Sequence, residues 1–139
     1  MRNATARVGA ILCVAAAGLA VCPGIAGAQP DGHQVRYTLT SAGPAPFDLY
    51  YLTAQPPSKE AYDADPYAFL KKESVTLAPG VPWVFETTLA DPQWAILTVS
   101  STTRGGQAAP NPHCEIAVDN QVVVQQDAPY NLQCQLKPW

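Results

Sequence analysis

The sequence has no cluster of Lys or Arg beyond the pair Lys71-Lys72, and its first 28 residues contain no acidic residue at all. The missing basic run argues against nucleic acid or an anionic lipid surface as the main partner, since both need a basic footprint. No helical period persists for long, which argues against a helical bundle. There is no internal repeat and no low-complexity tract. Also missing are G-x-S-x-G, H-E-x-x-H and any glycine loop able to cradle a phosphate. Nothing in the spacing of the 11 acidic residues selects a catalytic pair. The sequence points away from an enzyme, and from any cofactor.

What the first 28 residues do contain is a secretory signal. Arg2 and Arg7 form a charged start, and Val8 to Val21 is an apolar run of 14 residues. Ala26-Gly27-Ala28 then sets small residues before Gln29, so cleavage is expected between Ala28 and Gln29. Two alternatives are an uncleaved anchor over residues 8–28 and lipidation at Cys22, where Leu19-Ala20-Val21-Cys22 has the outline of a lipobox. Cleavage leaves 111 of the 139 residues, with 6 Lys+Arg against 11 Asp+Glu, a formal charge of −5. One domain fits that length, with enough chain for a core. Only Cys114 and Cys134 remain. In an oxidising compartment an even pair defaults to a disulfide.

The mature region alternates with a two-residue period. Val35, Tyr37 and Leu39 take turns with Arg36, Thr38 and Thr40; Phe47, Leu49 and Tyr51 follow. Val75 and Leu77 lead into the turn Pro79-Gly80, Trp83 and Phe85 open the next strand, and Trp94, Ile96 and Thr98 mark another. Cys114, Ile116 and Val118 run into Asp119-Asn120, a pair that tolerates positive φ. A two-residue loop there pairs Ile116 with Val123. A three-residue loop puts Val122 and Val124 on the face of Ile116 and Val118, and gives the cleaner faces. Tyr130, Leu132, Cys134 and Leu136 make the apolar face of the last strand.

These features predict an all-β fold: an antiparallel, immunoglobulin-like β-sandwich of about seven strands with one disulfide. One short helical insertion is expected within Ser58 to Glu73. There Asp65 would cap a helix starting at Pro66 and ending near Lys71 and Lys72.

Few residues offer chemistry. His113 lies beside Cys114, but neighbours on a strand point to opposite faces and a disulfide removes the thiolate. His113 with His33 would make half a metal site, though His33 falls close to the expected new N-terminus; no metal is expected. Asp63-Ala64-Asp65 resembles the start of a calcium loop but lacks its further ligands. The aromatics say more. Of Tyr50 and Tyr51, consecutive on a strand, one must face outward, while Tyr62, Tyr67 and Phe69 crowd the helical insertion. Tyr50, Tyr62, Tyr67 and Phe69 are the candidate ligand or partner surface, suited to a lipid, glycan or protein.

The stretch Cys114-Glu115-Ile116-Ala117-Val118-Asp119, followed by a Val-rich strand and a second Cys, resembles the C-terminal domain of the mycobacterial membrane protein small (MmpS) family. Val35-Arg36-Tyr37, Tyr51-Leu52, Pro82-Trp83 and Thr87-Thr88 fall in that family's order, and the resemblance spans most of residues 34–136. It implies an extracytoplasmic β-sandwich without catalytic residues, accessory to an RND-type exporter of lipid or siderophore. It also implies the Cys114–Cys134 bridge, with Pro82-Trp83 and the Val118-Asp119 turn as fold markers. The sequence departs from the family in its cleavable leader, in Asn120 where a Gly is usual, and in a longer segment from Ala54 to Gly80. The function expected is that of an exported, non-enzymatic binding protein, a transport accessory that assists export or carriage of an envelope lipid or similar molecule. The alternative is a secreted domain that binds another protein.

Overall fold

The computed structural model describes residues 32–102 and 106–137. The expected signal sequence and cleavage site, the alternative anchor over residues 8–28 and Cys22 lie outside the described residues.

Among the described residues eight strands form: β1 (His33–Ser41), β2 (Ala45–Leu52), β3 (Leu70–Leu77), β4 (Trp83–Leu89), β5 (Ile96–Ser101), β6 (Pro112–Val118), β7 (Gln121–Asp127) and β8 (Leu132–Gln135). They pair antiparallel into two four-stranded sheets, ordered β4-β1-β6-β7 and β3-β2-β5-β8. The fold is an antiparallel β-sandwich, as the alternation predicts, with eight strands where about seven were expected.

Alternation builds the core. Val35, Tyr37 and Leu39 of β1, Phe47, Leu49 and Tyr51 of β2, and Leu97 and Val99 of β5 are fully buried, while Arg36, Thr38, Asp48 and Thr98 face outward. Cys114 of β6 and Cys134 of β8 are fully buried and joined by a disulfide, with their Cα atoms 6.3 Å apart. The bridge ties one sheet to the other. At the opposite edge, Trp83 and Phe85 of β4 complete the core against Tyr51, with ring centroids 4.9 and 4.8 Å away.

The hairpin between β6 and β7 combines features of both expected registers. Asp119 and Asn120 have φ of 50° and 69°, the conformation of a two-residue turn, and Val118 pairs with Gln121. A bulge then intervenes, so that Ala117 pairs with Val122 but Ile116 with Val124. The extra residue is Val123, so Val124 joins the face of Ile116 as the longer loop predicts, while Val122 lies on the face of Ala117 and is half-exposed.

The helical insertion is real but placed differently. A short helix, α1 (Lys59–Ala64), is capped by Ser58, whose side chain accepts from the Ala61 N–H. Asp65 caps only a single 3-10 turn, Pro66–Ala68, and makes no side-chain cap bond. Lys71 and Lys72 belong to β3, because the backbone after Phe69 is taken up by pairing with β2. Two strand ends also differ from expectation. Trp94 sits in a 3-10 turn ahead of β5, where Asp91 accepts from the Gln93 N–H. Tyr130 precedes β8 and is exposed, and the Asn131 side chain accepts from the Ser101 N–H.

Candidate functional site

The strand pleat assigns opposite fates to the tyrosine pair in β2. Tyr51 turns inward and is fully buried, its hydroxyl donating to Glu73 at 2.6 Å. Burial, with Glu73 beside it, pushes that phenol well above its ordinary range. Tyr50 turns outward. It pairs across the sheet with Lys72 on β3 and Thr98 on β5, and Thr98 pairs in turn with Gln133 on β8. The Lys72 ammonium lies 5.6 Å from the Tyr50 ring centroid. Contact with the Tyr50 hydroxyl raises the Lys72 pKa. The 3-10 turn brings the Tyr67 ring to 6.3 Å from Tyr50, and Tyr67 is 67% exposed.

Tyr62 and Phe69 behave differently. Helix α1 lays Tyr62 over Trp94, with ring centroids 5.6 Å apart, and Phe69 lies 6.4 Å from Tyr62. Both are half-buried and pack against the core. Burial raises the Tyr62 phenol, aided by Asp63 and Tyr67 nearby. The four aromatic residues named from sequence therefore resolve into two pairs. Half-buried Tyr50 and exposed Tyr67 make an outward aromatic surface with Lys72 above the Tyr50 ring, while Tyr62 and Phe69 seal the insertion onto the sandwich. Three shallow concavities of about 260–330 Å³ lie elsewhere, and none of the three is lined by these rings.

The histidines form two separate ion-pair sites at opposite ends of β1. His33 Nδ1 lies 2.6 Å from Asp119, whose second oxygen accepts from the Gln34 N–H at 3.0 Å. These partners hold the Asp119 carboxyl below its ordinary range, His33 contributing most. His113 faces Glu115 at 3.0 Å and Asp127 at 2.8 Å. Each ring nitrogen meets a carboxylate, an arrangement that only the imidazolium satisfies on both sides. Glu115 first, and Asp127 with it, raises the His113 pKa. Strand alternation plus the hairpin register would have found this cluster, since residues 113 and 115 share a face and 127 lies opposite 113. Asp63, of the calcium-like stretch, bonds Lys59 at 2.6 Å. Among the described residues, no group of three or more His, Cys, Asp or Glu is placed to hold a metal ion. Nor is any helix among them long and apolar enough to cross a membrane.

Two packed sheets, one inter-sheet disulfide and an outward aromatic surface define a β-sandwich domain. The family model that matches is described as the Rv2576c β-sandwich domain, over residues 37–134, from the core tyrosine of β1 to the second cysteine of the bridge. The chain belongs to this family. It is 41% identical over 140 residues to the uncharacterized proteins Rv2576c of Mycobacterium tuberculosis and Mb2606c of Mycobacterium bovis. Those alignments cover all of this chain and 89% of each relative.

Proposed function

We propose that this is an exported binding protein of the cell envelope, without catalysis of its own, which assists the export or carriage of an envelope lipid or similar amphiphile. The reading follows the MmpS resemblance of the sequence and its leader. It makes an RND-type transporter or the lipid itself the partner. The observation that carries it is the Tyr50–Tyr67 pair, two rings the core does not use, set beside a lysine on an outward sheet face. Rings of this kind cover apolar chain while the hydroxyls and the ammonium reach a polar headgroup.

The test begins with native protein recovered from culture fluid and from membranes, analysed by intact mass and by lipid extraction. The expected species starts at Gln29, is lighter than the dithiol by two hydrogens, and carries lipid or a transporter with it. Tyr67→Ala and Tyr50→Ala should each lower that retention several-fold while leaving the melting transition in place. Wild-type protein free of both lipid and transporter would end this reading.

A second reading, a secreted domain that binds protein, is favoured by a different observation: half-exposed Val122 and Val123 on an edge strand.

A further inference from the structure

Strand alternation gives the β3-β2-β5-β8 sheet an outward face with one covered end and one open end. Leu52 and Ile96 share the outward parity of Tyr50 and Thr98, yet both are buried in the cluster against which Tyr62 and Phe69 pack. The insertion closes that end. Next to it the row Lys72, Tyr50, Thr98, Gln133 crosses the whole sheet, from β3 to β8. On the β5–β8 side of Tyr50 lies a shallow concavity of about 310 Å³, whose outward lining is Thr98, Ser100, Asn131 and Gln133. These are hydroxyls and amides with hydrogen-bonding capacity to spare. Among the described residues no hydrogen bond engages the Thr98 or Ser100 hydroxyl. The Asn131 side chain accepts from the Ser101 N–H and keeps its amide NH₂ as a donor. Gln133 donates to Gln135 at 2.7 Å and keeps its Oε1 as an acceptor.

Charge decides what fits there. No charged residue lines the concavity. The charged residue paired beside it is Asp48, opposite Ser100, whose carboxylate accepts from Ser74 at 2.5 Å. Lys72 stands a strand further away, with its ammonium 5.6 Å from the Tyr50 ring centroid. An anionic group in the concavity would face a carboxylate without a cation to pair with. An acyl chain would strip water from the hydroxyls and amides and return no hydrogen bond. A sugar ring meets both demands: its flat C–H face stacks on Tyr50, and its hydroxyls donate and accept along the row beyond. We infer that the polar part of the ligand is an uncharged sugar headgroup, seated from the Tyr50 ring into the concavity at Thr98 and Gln133. Tyr67, on the other side of Tyr50, is left to cover the apolar chain. This rests on the carriage reading and gives its ligand a class, a neutral glycolipid.

Flotation of the native protein with phosphatidylcholine vesicles tests it, the vesicles being plain, doped with diglucosyl or digalactosyl diacylglycerol, or doped with phosphatidylglycerol. A neutral glycolipid should be bound about tenfold or more tightly than phosphatidylglycerol. Thr98→Val and Gln133→Ala should each lower that preference several-fold at an unchanged melting temperature. Ser100→Lys, which sets a cation in the concavity, should turn the preference towards phosphatidylglycerol. Equal binding to every vesicle, or a wild-type preference for phosphatidylglycerol, overturns the sugar headgroup and leaves carriage intact. A glycolipid preference that both Thr98→Val and Gln133→Ala leave unchanged overturns it too. Calorimetric binding of the free disaccharides, without binding to any vesicle, supports the sugar site and ends carriage. Failure to bind any vesicle or disaccharide overturns both.

Discussion

The Tyr37 hydroxyl donates to the Leu52 carbonyl at 2.8 Å inside the core, joining a side chain of one sheet to the backbone of the other. Tyr37 is fully buried, and desolvation pushes its phenol far above the ordinary range, so it stays a donor at any physiological pH. Removing the hydroxyl leaves a buried carbonyl without this partner. Tyr37→Phe should therefore cost about 1–3 kcal/mol in urea denaturation, with little change in m-value. An unchanged midpoint would mean that the bond contributes nothing net.

The Cys114–Cys134 bridge closes a loop with a sequence separation of 20 and is the covalent tie between the sheets. Constraining the unfolded chain over that loop is worth about 3 kcal/mol. The double variant Cys114→Ala/Cys134→Ala should lose about that much, read from chemical denaturation. Reduction of the wild type under native conditions should be slow, since both sulfurs are buried.

The His113 cluster gives stability a pH dependence of known sign. The pKa is raised in the folded protein above its ordinary 6.5. The folded state then binds the proton more tightly than the unfolded state. This contribution is fully present below about pH 6.5 and fades as the pH rises through the folded-state value. The stability gap between wild type and His113→Gln should therefore be largest at mildly acidic pH and shrink above neutrality. A gap that widens with rising pH would reverse the assignment. Because Asp127 is largely exposed, added salt should shrink the gap as well.

Gly32 lies at the entrance to β1 with φ of +155°. A Cβ there would stand 2.8 Å from Thr88 Cγ2 and 2.9 Å from the Leu89 carbonyl oxygen. The oxygen belongs to a backbone fixed by the pairing of β4 with β1, so it cannot give way without disturbing that ladder. Gly32→Ala should destabilise the domain by about 1–3 kcal/mol. Thermal unfolding, compared with Gly43→Ala where a Cβ meets nothing within 4 Å, checks it.

Much of this was readable from residue order alone, for a physical reason. Two-residue alternation is a local property, and each outward Thr, Arg or Gln between inward Val, Tyr and Leu assigns its neighbours to a face without knowledge of the rest. The sandwich class, the inward faces of β1 and β2 and the inward direction of both cysteines follow from it, whereas in β5 the pattern singled out Trp94, Ile96 and Thr98 and the structure instead fully buries Leu97 and Val99 and turns Thr98 outward. The helical insertion was harder to place. Pro66 and Asp65 carry the marks of a helix start, but Ser58 caps the helix and strand pairing claims Lys71 and Lys72. Local cap signals compete, and the cross-strand ladder decides between them.

The candidate aromatic surface shows the same division. Composition brought Tyr50, Tyr62, Tyr67 and Phe69 together, yet their split into an outward pair and a pair packed on the core depends on where α1 lies against Trp94, a contact spanning some thirty residues. Asp127 likewise comes opposite His113 because a bulge at Val123 fixes the hairpin register, while Glu115 joins it by strand alternation alone. Sequence by itself determined which side chains a strand turns inward, because the pleat is built into every extended backbone. Tertiary structure alone decided which outward groups meet, because register and sheet order arise from pairings between distant segments.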